Sequence, residues 1–145
     1  MTDPKPVAAA PRTPRFVRNG NRVTWLCAAC GEPVRARTGY LTLDQRVAWV
    51  RERAWVEYKR QCILDNPSNE LRVRAVSEMP SEKVARWDAW HRNCDPRPDS
   101  ADYWFAVERA DTVGKLLHWT AHLAEKEWVG HSDWFTLMLT IGTDA

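Results

Sequence analysis

The hydrophobic and polar positions along this chain change period several times, and each period predicts a different element. Short alternating runs at residues 23–26 and 103–108 predict strands, and residues 87–90 are expected to be extended. Residues 45–64 follow Asp44, a favourable N-cap, and predict a long helix. Its core-facing stripe is expected at positions three or four apart, namely Val47, Val50, Ala54, Tyr58 and Cys62.

A second apolar row on the same helix recurs every seven residues, at Trp49, Val56 and Ile63. This row indicates either that the helix is buried on two sides or that it presents a strip to a partner. Burial in the core is the simpler interpretation.

Two further helices are predicted towards the end of the chain. Asp111 or Thr112 caps the first, over residues 113–127, and residues 134–139 form the second. A helix over residues 81–94 is an alternative to the extended segment, and residues 81–83 alone would give one helical turn. The inner face of the first C-terminal helix is expected to comprise Val113, Leu116, Leu117, Thr120, Leu123 and Ala124.

The chain is expected to divide into an arm and one domain. Residues 1–15 carry four prolines around an alanine-rich stretch, which predicts a disordered arm. With 44% hydrophobic residues in the chain, residues 16–142 contain enough apolar material for a single core. Within this domain, residues 44–85 are expected to form an insertion that ends in a loop over residues 65–80.

Two short pairs of metal-ligating residues are the clearest chemical signal, Cys27-x-x-Cys30 and His91-x-x-Cys94. Three thiolates and one imidazole match a closed tetrahedral Zn²⁺ site, which leaves no coordination position for a substrate. A redox role would instead favour a helix at Cys27, where a strand is predicted. Disulfide bonds or ordinary buried thiols would also account for the cysteines. Cys62 has no partner at ligand spacing and is expected in the core.

The residues around these pairs resemble zinc-ribbon and treble-clef proteins, in which a Cys-x-x-Cys knuckle precedes a β-hairpin. The match covers residues 23–44 and 90–96, with residues 35–43 as the hairpin. It implies an α+β fold with a small zinc-ribbon-like β-hairpin core, an inserted long helix and C-terminal helices. The insertion accounts for the roughly sixty residues that separate the two pairs.

The chain is also similar to small zinc-binding proteins of actinobacterial phages and mobile elements. The similarity lies in the motif Trp-His-x-x-Cys-Asp-Pro at residues 90–96, a strand that contains Tyr103, and a helix through residues 117–123. It implies a phage or mobile-element protein that acts in the cytoplasm of a bacterial host. The first ten residues also lack the basic start and apolar run of a secretory signal, which favours a cytoplasmic location.

Charge is distributed unevenly along the chain. Residues 1–60 contain 12 Lys/Arg and 5 Asp/Glu, whereas residues 61–145 contain 9 and 14. A nucleic-acid-binding face is therefore expected in the first half, although the two halves would also neutralise each other across the fold. The candidate phosphate-binding residues are Arg12, Arg15, Arg18, Arg22, Arg35 and Arg37.

His118 and His122 form a His-x-x-x-His pair that resembles part of a metalloprotease motif, but Trp119 occupies the position of the catalytic glutamate. A second metal site with Glu125 is one interpretation of this pair. The two histidines would otherwise be exposed helix residues or part of an interaction surface.

These observations predict a non-catalytic, zinc-stabilised binding or regulatory module that engages DNA or a host protein. The alternative is a metal-dependent nuclease of treble-clef type, which needs a catalytic histidine on the hairpin, where Tyr40 is found and no histidine. Phosphate-binding loops, dinucleotide fingerprints and deaminase motifs do not occur in the sequence. Neither a membrane nor a small-molecule substrate is expected.

Overall fold

The computed structural model describes residues 14–65, 79–98 and 102–144, which form two small antiparallel sheets and three α-helices. This α+β architecture confirms the predicted fold class. Most of the predicted arm over residues 1–15, most of the predicted loop over residues 65–80 and the candidate Arg12 lie outside the described residues. None of the described helices is both long and apolar enough to cross a lipid bilayer.

The first sheet has the order β1-β2-β3, with β1 at Phe16–Asn19, β2 at Arg22–Leu26 and β3 at Pro33–Val34. A two-residue turn joins β1 to β2, and Gly20 adopts a φ of +61° there. Such hairpin turns require a positive φ, which glycine adopts without steric strain. The predicted strand at residues 23–26 is confirmed and lies at the centre of this sheet.

The second sheet has the order β5-β4-β6, with β4 at Gly39–Leu43, β5 at Trp87–His91 and β6 at Tyr103–Ala106. The extended segment before His91 is confirmed, and the alternative helix over residues 81–94 is wrong, as is the helical turn at residues 81–83. Alternation in β4 buries Leu41 completely against the core.

The hairpin predicted at residues 35–43 is wrong, because the chain passes there from one sheet to the other. β3 pairs with β2, whereas β4 pairs with β5 and β6. Arg37 has a φ of +67°, which is incompatible with a continuing strand. At Gly39 a β-carbon would overlap the carbonyl oxygen of Trp90 and lie 2.6 Å from Val34 Cγ1. Only glycine therefore permits the close approach of β4 to β5.

The long helix, α1, spans Gln45–Leu64, as predicted, and the Asp44 side chain accepts a hydrogen bond from Arg46 N at 3.0 Å. The predicted core stripe is only partly correct. Ala48 is the buried residue of α1, whereas Val50 is 59% exposed. The reason is that α1 contacts the rest of the fold through the side that carries Ala48 and Arg51. Arg51 Nη1 lies 2.7 Å from His131 Nδ1 on the 3-10 turn Val129–His131.

Two shorter helices follow the second sheet, α2 at Val113–Ala124 and α3 at Trp134–Thr143. Thr112 caps α2, since its side chain accepts a hydrogen bond from Lys115 N at 3.2 Å. α2 is three residues shorter than predicted, and α3 is four residues longer. Leu117 was expected on the inner face of α2 but is 69% exposed.

Tryptophan side chains form the centre of the core, between the second sheet and helices α2 and α3. The ring centroid of Trp87 lies 5.2 Å from that of Trp134, 5.7 Å from Phe105 and 6.3 Å from Trp128. Three indoles are essentially fully buried and each donates its N–H to an acceptor. The pairs are Trp25 with Ala110 O at 2.8 Å, Trp87 with Ser132 Oγ at 3.1 Å and Trp134 with Thr120 Oγ1 at 3.0 Å. A tryptophan whose indole N–H is hydrogen-bonded can fill a core without the free-energy cost of a buried, unpaired hydrogen-bond donor.

Candidate metal centre

The first ligand pair lies on a tight turn between β2 and β3. Cys27 N donates to Glu32 O and Gly31 N donates to Cys27 O, both at 2.9 Å. Gly31 adopts a φ of +76°, which turns the chain back into β3. The turn therefore holds the sulfur atoms of Cys27 and Cys30 on one side of the hairpin tip.

The second pair lies on a turn at the end of β5. Cys94 N donates to His91 O at 2.9 Å, and Asp95 N donates to the same oxygen at 3.2 Å. This turn brings Cys94 back beside the imidazole of His91. In both pairs, a hydrogen bond to the backbone carbonyl of the first ligand closes the turn.

A contact between the two sheets brings the pairs together. Cys27 forms a parallel bridge with Ala89, and Ala28 N donates to Ala89 O at 2.8 Å. The end of β2 is thereby joined to the middle of β5, two residues before His91. The site is consequently the junction between the two sheets.

The four predicted ligands, Cys27, Cys30, His91 and Cys94, form one cluster whose ligand atoms all lie within 4.8 Å of one another. His91 Nδ1 lies 3.3 Å from Cys30 Sγ and 3.8 Å from Cys94 Sγ. A tetrahedral zinc with Zn–S bonds of about 2.3 Å requires ligand atoms roughly 3.5–3.8 Å apart. The four ligand atoms are therefore close enough together to bind a single ion, with small adjustments of the side chains.

The orientation of the His91 ring is set by the backbone of the first sheet. Its Nε2 lies 2.9 Å from Pro33 O, a hydrogen bond in which the imidazole N–H is the donor. This bond fixes the tautomer in which Nδ1 carries a free lone pair, and Nδ1 is the atom that faces the sulfurs. A histidine whose second nitrogen donates to a carbonyl is the usual arrangement at protein metal sites.

The thiols titrate unequally. Burial raises the pKa of Cys27, but backbone N–H groups, chiefly those of Cys30 and His91, donate to its sulfur and lower the pKa to about 6. Partial burial and then the nearby Cys27 sulfur raise the pKa of Cys94 to about 11. The thiolate form is thus favoured at Cys27 and disfavoured at Cys94, where a bound cation would favour it.

Tyr40 and Asp95 support the second turn from outside the ligand set. Tyr40 Oη donates to Asp95 Oδ2 at 2.5 Å, and Asp95 directly follows the ligand Cys94. Burial and then this hydrogen bond raise the pKa of Tyr40 to about 12. No sequence pattern indicates this pair, because the two residues lie 55 positions apart and belong to different segments of the fold.

The chain matches no known protein family, no curated protein and no solved structure. The site is therefore interpreted from its own geometry.

The candidate phosphate-binding arginines are not equivalent in the structure. Arg15 Nη1 donates to Trp87 O at 3.1 Å and pairs with Asp133, and Arg18 Nη1 donates to Ile141 O at 2.7 Å. These two guanidinium groups attach the first sheet to the rest of the fold. The exposed candidates are Arg22, Arg35 and Arg37.

His118 and His122 are both exposed on α2. The ring of His122 stacks on Trp119 with centroids 4.7 Å apart, and its Nε2 lies 3.5 Å from Tyr103 Oη. Among the described residues, the cluster at Cys27 is the one group of three or more His, Cys, Asp or Glu residues placed to hold a metal. Glu125 does not join the two histidines in such a group.

Proposed function

We propose that Cys27, Cys30, His91 and Cys94 hold one structural Zn²⁺ ion and that the protein is a non-catalytic binding module. The observation that carries this proposal is the closed ligand set: four protein atoms converge within 4.8 Å. Catalytic zinc sites keep a coordination position for water or substrate, which four protein ligands do not leave.

The chemistry of the ligand atoms supports zinc in particular. Thiolates select soft or borderline ions, and a Cys₃His set is a common structural zinc site. The hard ions Mg²⁺ and Ca²⁺ prefer oxygen ligands. A bound zinc would cross-link the two sheets. The hydrogen bond from His91 Nε2 to Pro33 O orients the imidazole so that Nδ1 can bind the ion.

The position of the site supports a stabilising role. The ion links the β2–β3 turn to the end of β5, so that it organises the surface around both sheets for a macromolecular partner. DNA is one candidate partner, because the exposed residues Arg22, Arg35 and Arg37 flank the first ligand pair in the sequence. A protein is the other candidate partner.

Metal analysis of protein purified without chelator tests the metal assignment. About one zinc per chain is expected, because the four ligands complete a single site. Cys94→Ser should abolish tight zinc binding, and Cys62→Ser, at a partly buried cysteine of α1 outside the cluster, is the matched control that should retain it. Zinc-free protein, or equal zinc affinity in Cys94→Ser, would contradict the ligand assignment.

A cleavage assay tests the absence of catalysis. The purified, zinc-loaded protein is incubated with DNA and with RNA in Mg²⁺ or Mn²⁺, and no cleavage is expected. Metal-dependent cleavage that His118→Ala or His122→Ala removes would overturn the proposal in favour of a nuclease.

A further inference from the structure

The outer side of the second sheet carries a largely exposed tryptophan. Leu41 and Phe105 face the core, so alternation along β4 and β6 places Tyr40, Thr42 and Trp104 on the opposite side. Trp104 is 61% exposed, the largest exposed fraction among the nine tryptophans. Its ring packs against that of Tyr40, with centroids 5.7 Å apart. A flat aromatic surface is therefore open to a ligand on this side of the sheet.

A cavity of about 370 Å³ lies beside this tryptophan, and Tyr40, Thr42, Arg92 and Trp104 contribute to its wall. This volume falls within the range of roughly 300–1,000 Å³ that is typical of ligand sites. Thr42 Oγ1 accepts a hydrogen bond from Trp90 Nε1 at 3.0 Å, so its own hydroxyl hydrogen is free to donate. The cavity can therefore accept a planar ring that also carries hydrogen-bond acceptors.

The charged groups in the cavity wall differ in whether they already have partners. Arg97 pairs with Asp102 at 3.2 Å. Asp95 accepts hydrogen bonds from Tyr40 Oη at 2.5 Å and from Arg97 N at 2.8 Å. Arg92, by contrast, is exposed and forms no ion pair with any of the described residues. The wall thus presents an unpaired cation close to the exposed indole.

A second exposed arginine lies near Arg92, at the end of the sheet. Arg92 N donates to Thr38 O at 3.1 Å, and Arg37 N donates to Glu108 Oε2 at 3.2 Å. Hydrogen bonds from backbone N–H groups, and then the charges of Arg37 and Arg92, lower the pKa of Glu108, so both guanidinium groups lie near this carboxylate. Neither is within ion-pair distance of a carboxylate in the described segments, so both can take up an anion.

The candidate metal centre positions one wall of the cavity. Arg92 directly follows His91, and Asp95 directly follows Cys94. The second ligand turn, which the hydrogen bond from Cys94 N to His91 O closes, therefore carries both cavity residues. Binding of an ion by this turn would fix Arg92 relative to Trp104 on the neighbouring part of the sheet.

We propose that this surface binds single-stranded nucleic acid, with one base stacked on Trp104 in the cavity and the adjoining phosphates paired with Arg92 and Arg37. A nucleotide joins a flat ring to an anionic phosphate, which is the combination that the surface offers to meet. Aromatic side chains beside basic groups are the usual means by which proteins hold single strands. This inference rests on the proposed function, since it names the partner of the binding module.

The combination of indole and arginines argues against other occupants. A base can stack on Trp104 only when it is unpaired, and a duplex keeps its bases inside the helical stack. An acidic peptide would pair the arginines but supply no ring to the indole with the same short connection. A free mononucleotide would fill the cavity but leave Arg37 without a second phosphate.

Fluorescence anisotropy with labelled oligonucleotides tests the proposal. A mixed-sequence strand of about sixteen nucleotides, in DNA and in RNA form, is titrated with the full-length, zinc-loaded protein beside the duplex made from the DNA strand. Unlabelled nucleoside monophosphates and polyglutamate serve as competitors. At least one single strand should bind more tightly than the duplex and than either competitor. Equal or tighter binding of the duplex, of a mononucleotide or of polyglutamate would overturn the proposal.

Removal of the indole then tests the stacking contact. Trp104→Ala should weaken binding of the single strand by about 5- to 150-fold, the contribution of one stacked base. Because Trp104 is largely exposed, this variant is expected to fold. Trp49→Ala, at a 48% exposed tryptophan on α1, is the matched control and should bind like the unaltered protein. Equal affinities of the two variants would contradict the proposal.

The salt dependence of binding tests the phosphate contacts. Arg92→Gln should reduce the slope of log K against log salt by about 0.7, the value for one phosphate contact to a single strand. Arg53→Gln, at an exposed arginine of α1 that forms no ion pair among the described residues, is the control and should leave the slope unchanged. An unchanged slope in Arg92→Gln would refute the assignment of this arginine to a phosphate.

Metal removal separates this inference from the proposed function. Chelation should weaken strand binding and added zinc should restore it, because the second ligand turn carries Arg92. A zinc-loaded, non-cleaving protein that binds no single strand would refute this inference alone. Strand binding that requires Trp104 but persists in zinc-free protein would support the surface and refute the structural role of the metal.

Discussion

The two ends of strand β5 are stabilised in different ways, although they are only four residues apart. At one end, Trp87 is fully buried among aromatic rings, with Trp134 and Phe105 as neighbours. At the other end, His91 lies in the cluster of candidate metal ligands. The first end depends on buried apolar area, which has no preferred direction, whereas the second depends on a few atoms placed in a strict geometry.

This difference determines how each end should respond to change. A packed aromatic core loses stability in proportion to the atoms that are removed. A metal site loses its function when any one ligand is lost, because the remaining ligands no longer complete the coordination. The contrast suggests perturbations that affect one end and spare the other.

Metal removal should have the largest effect. Chelation should lower the melting temperature sharply, because structural zinc contributes about 10–16 kcal/mol in zinc-finger peptides and here would join two sheets. The measurement is thermal unfolding followed by circular dichroism, with and without chelator. An unchanged melting temperature after verified metal removal would show that the aromatic end maintains the fold alone.

Trp87→Ala should destabilise the protein by about 3–5 kcal/mol, the usual cost of removing a buried aromatic side chain. Urea unfolding measures the loss. Trp104→Ala is the matched control, since Trp104 is 61% exposed and lies on the same sheet. Zinc stoichiometry should survive Trp87→Ala in the folded fraction, and loss of zinc there would show that the two ends of β5 are coupled.

Gly39→Ala tests the segment that connects the sheets. The added methyl group would meet the Trp90 carbonyl and Val34, so that β4 must separate from β5 beside His91. We expect a loss of about 1–3 kcal/mol, as for other overpacked sites, together with weaker zinc retention. Gly114→Ala serves as the control, because apart from its chain neighbours and the backbone of α2 no atom lies within 4 Å of its β-carbon position. Equal stability of the two variants would contradict the observed approach of the strands.

The smallest expected effect concerns pH. Burial and then the charge of Arg51 lower the pKa of His131. The unfolded chain therefore binds a proton that the folded protein does not, so stability is present above the unfolded pKa of about 6.5 and declines as pH falls from there towards the lowered value. His131→Gln should reduce this decline. The slope of melting temperature against pH, compared between the two proteins, measures the effect, and identical slopes would contradict it.

The cluster of candidate metal ligands was predictable because its signal is local. Each ligand pair is recognisable within four consecutive residues, and only the meeting of the pairs depended on the fold. The bounds of α1 were predictable for the same reason, since Asp44 caps its first turn. The partners that support the site, Tyr40 and Pro33, were not predictable, because no periodicity links them to Asp95 and His91.

The direction in which α1 faces the core could not be read from its apolar residues. Two apolar rows compete on this helix, and the fold contacts it instead through Ala48 and Arg51, which hydrophobic periodicity does not distinguish. Similarly, the resemblance to zinc ribbons placed a hairpin at residues 35–43, whereas the conformations of Arg37 and Gly39 take this segment from one sheet to the other. In both cases a tertiary contact overrode a local pattern.

The distance of 61 residues between Cys30 and His91 has a consequence for the order of events during synthesis. At about 5–20 residues per second, Cys30 is synthesised roughly 3–12 seconds before His91. During that interval the nascent chain contains only two of the four candidate ligands, Cys27 and Cys30. The four-ligand cluster can form only after Cys94 has been translated, so binding of an ion by all four residues would follow the synthesis of α1.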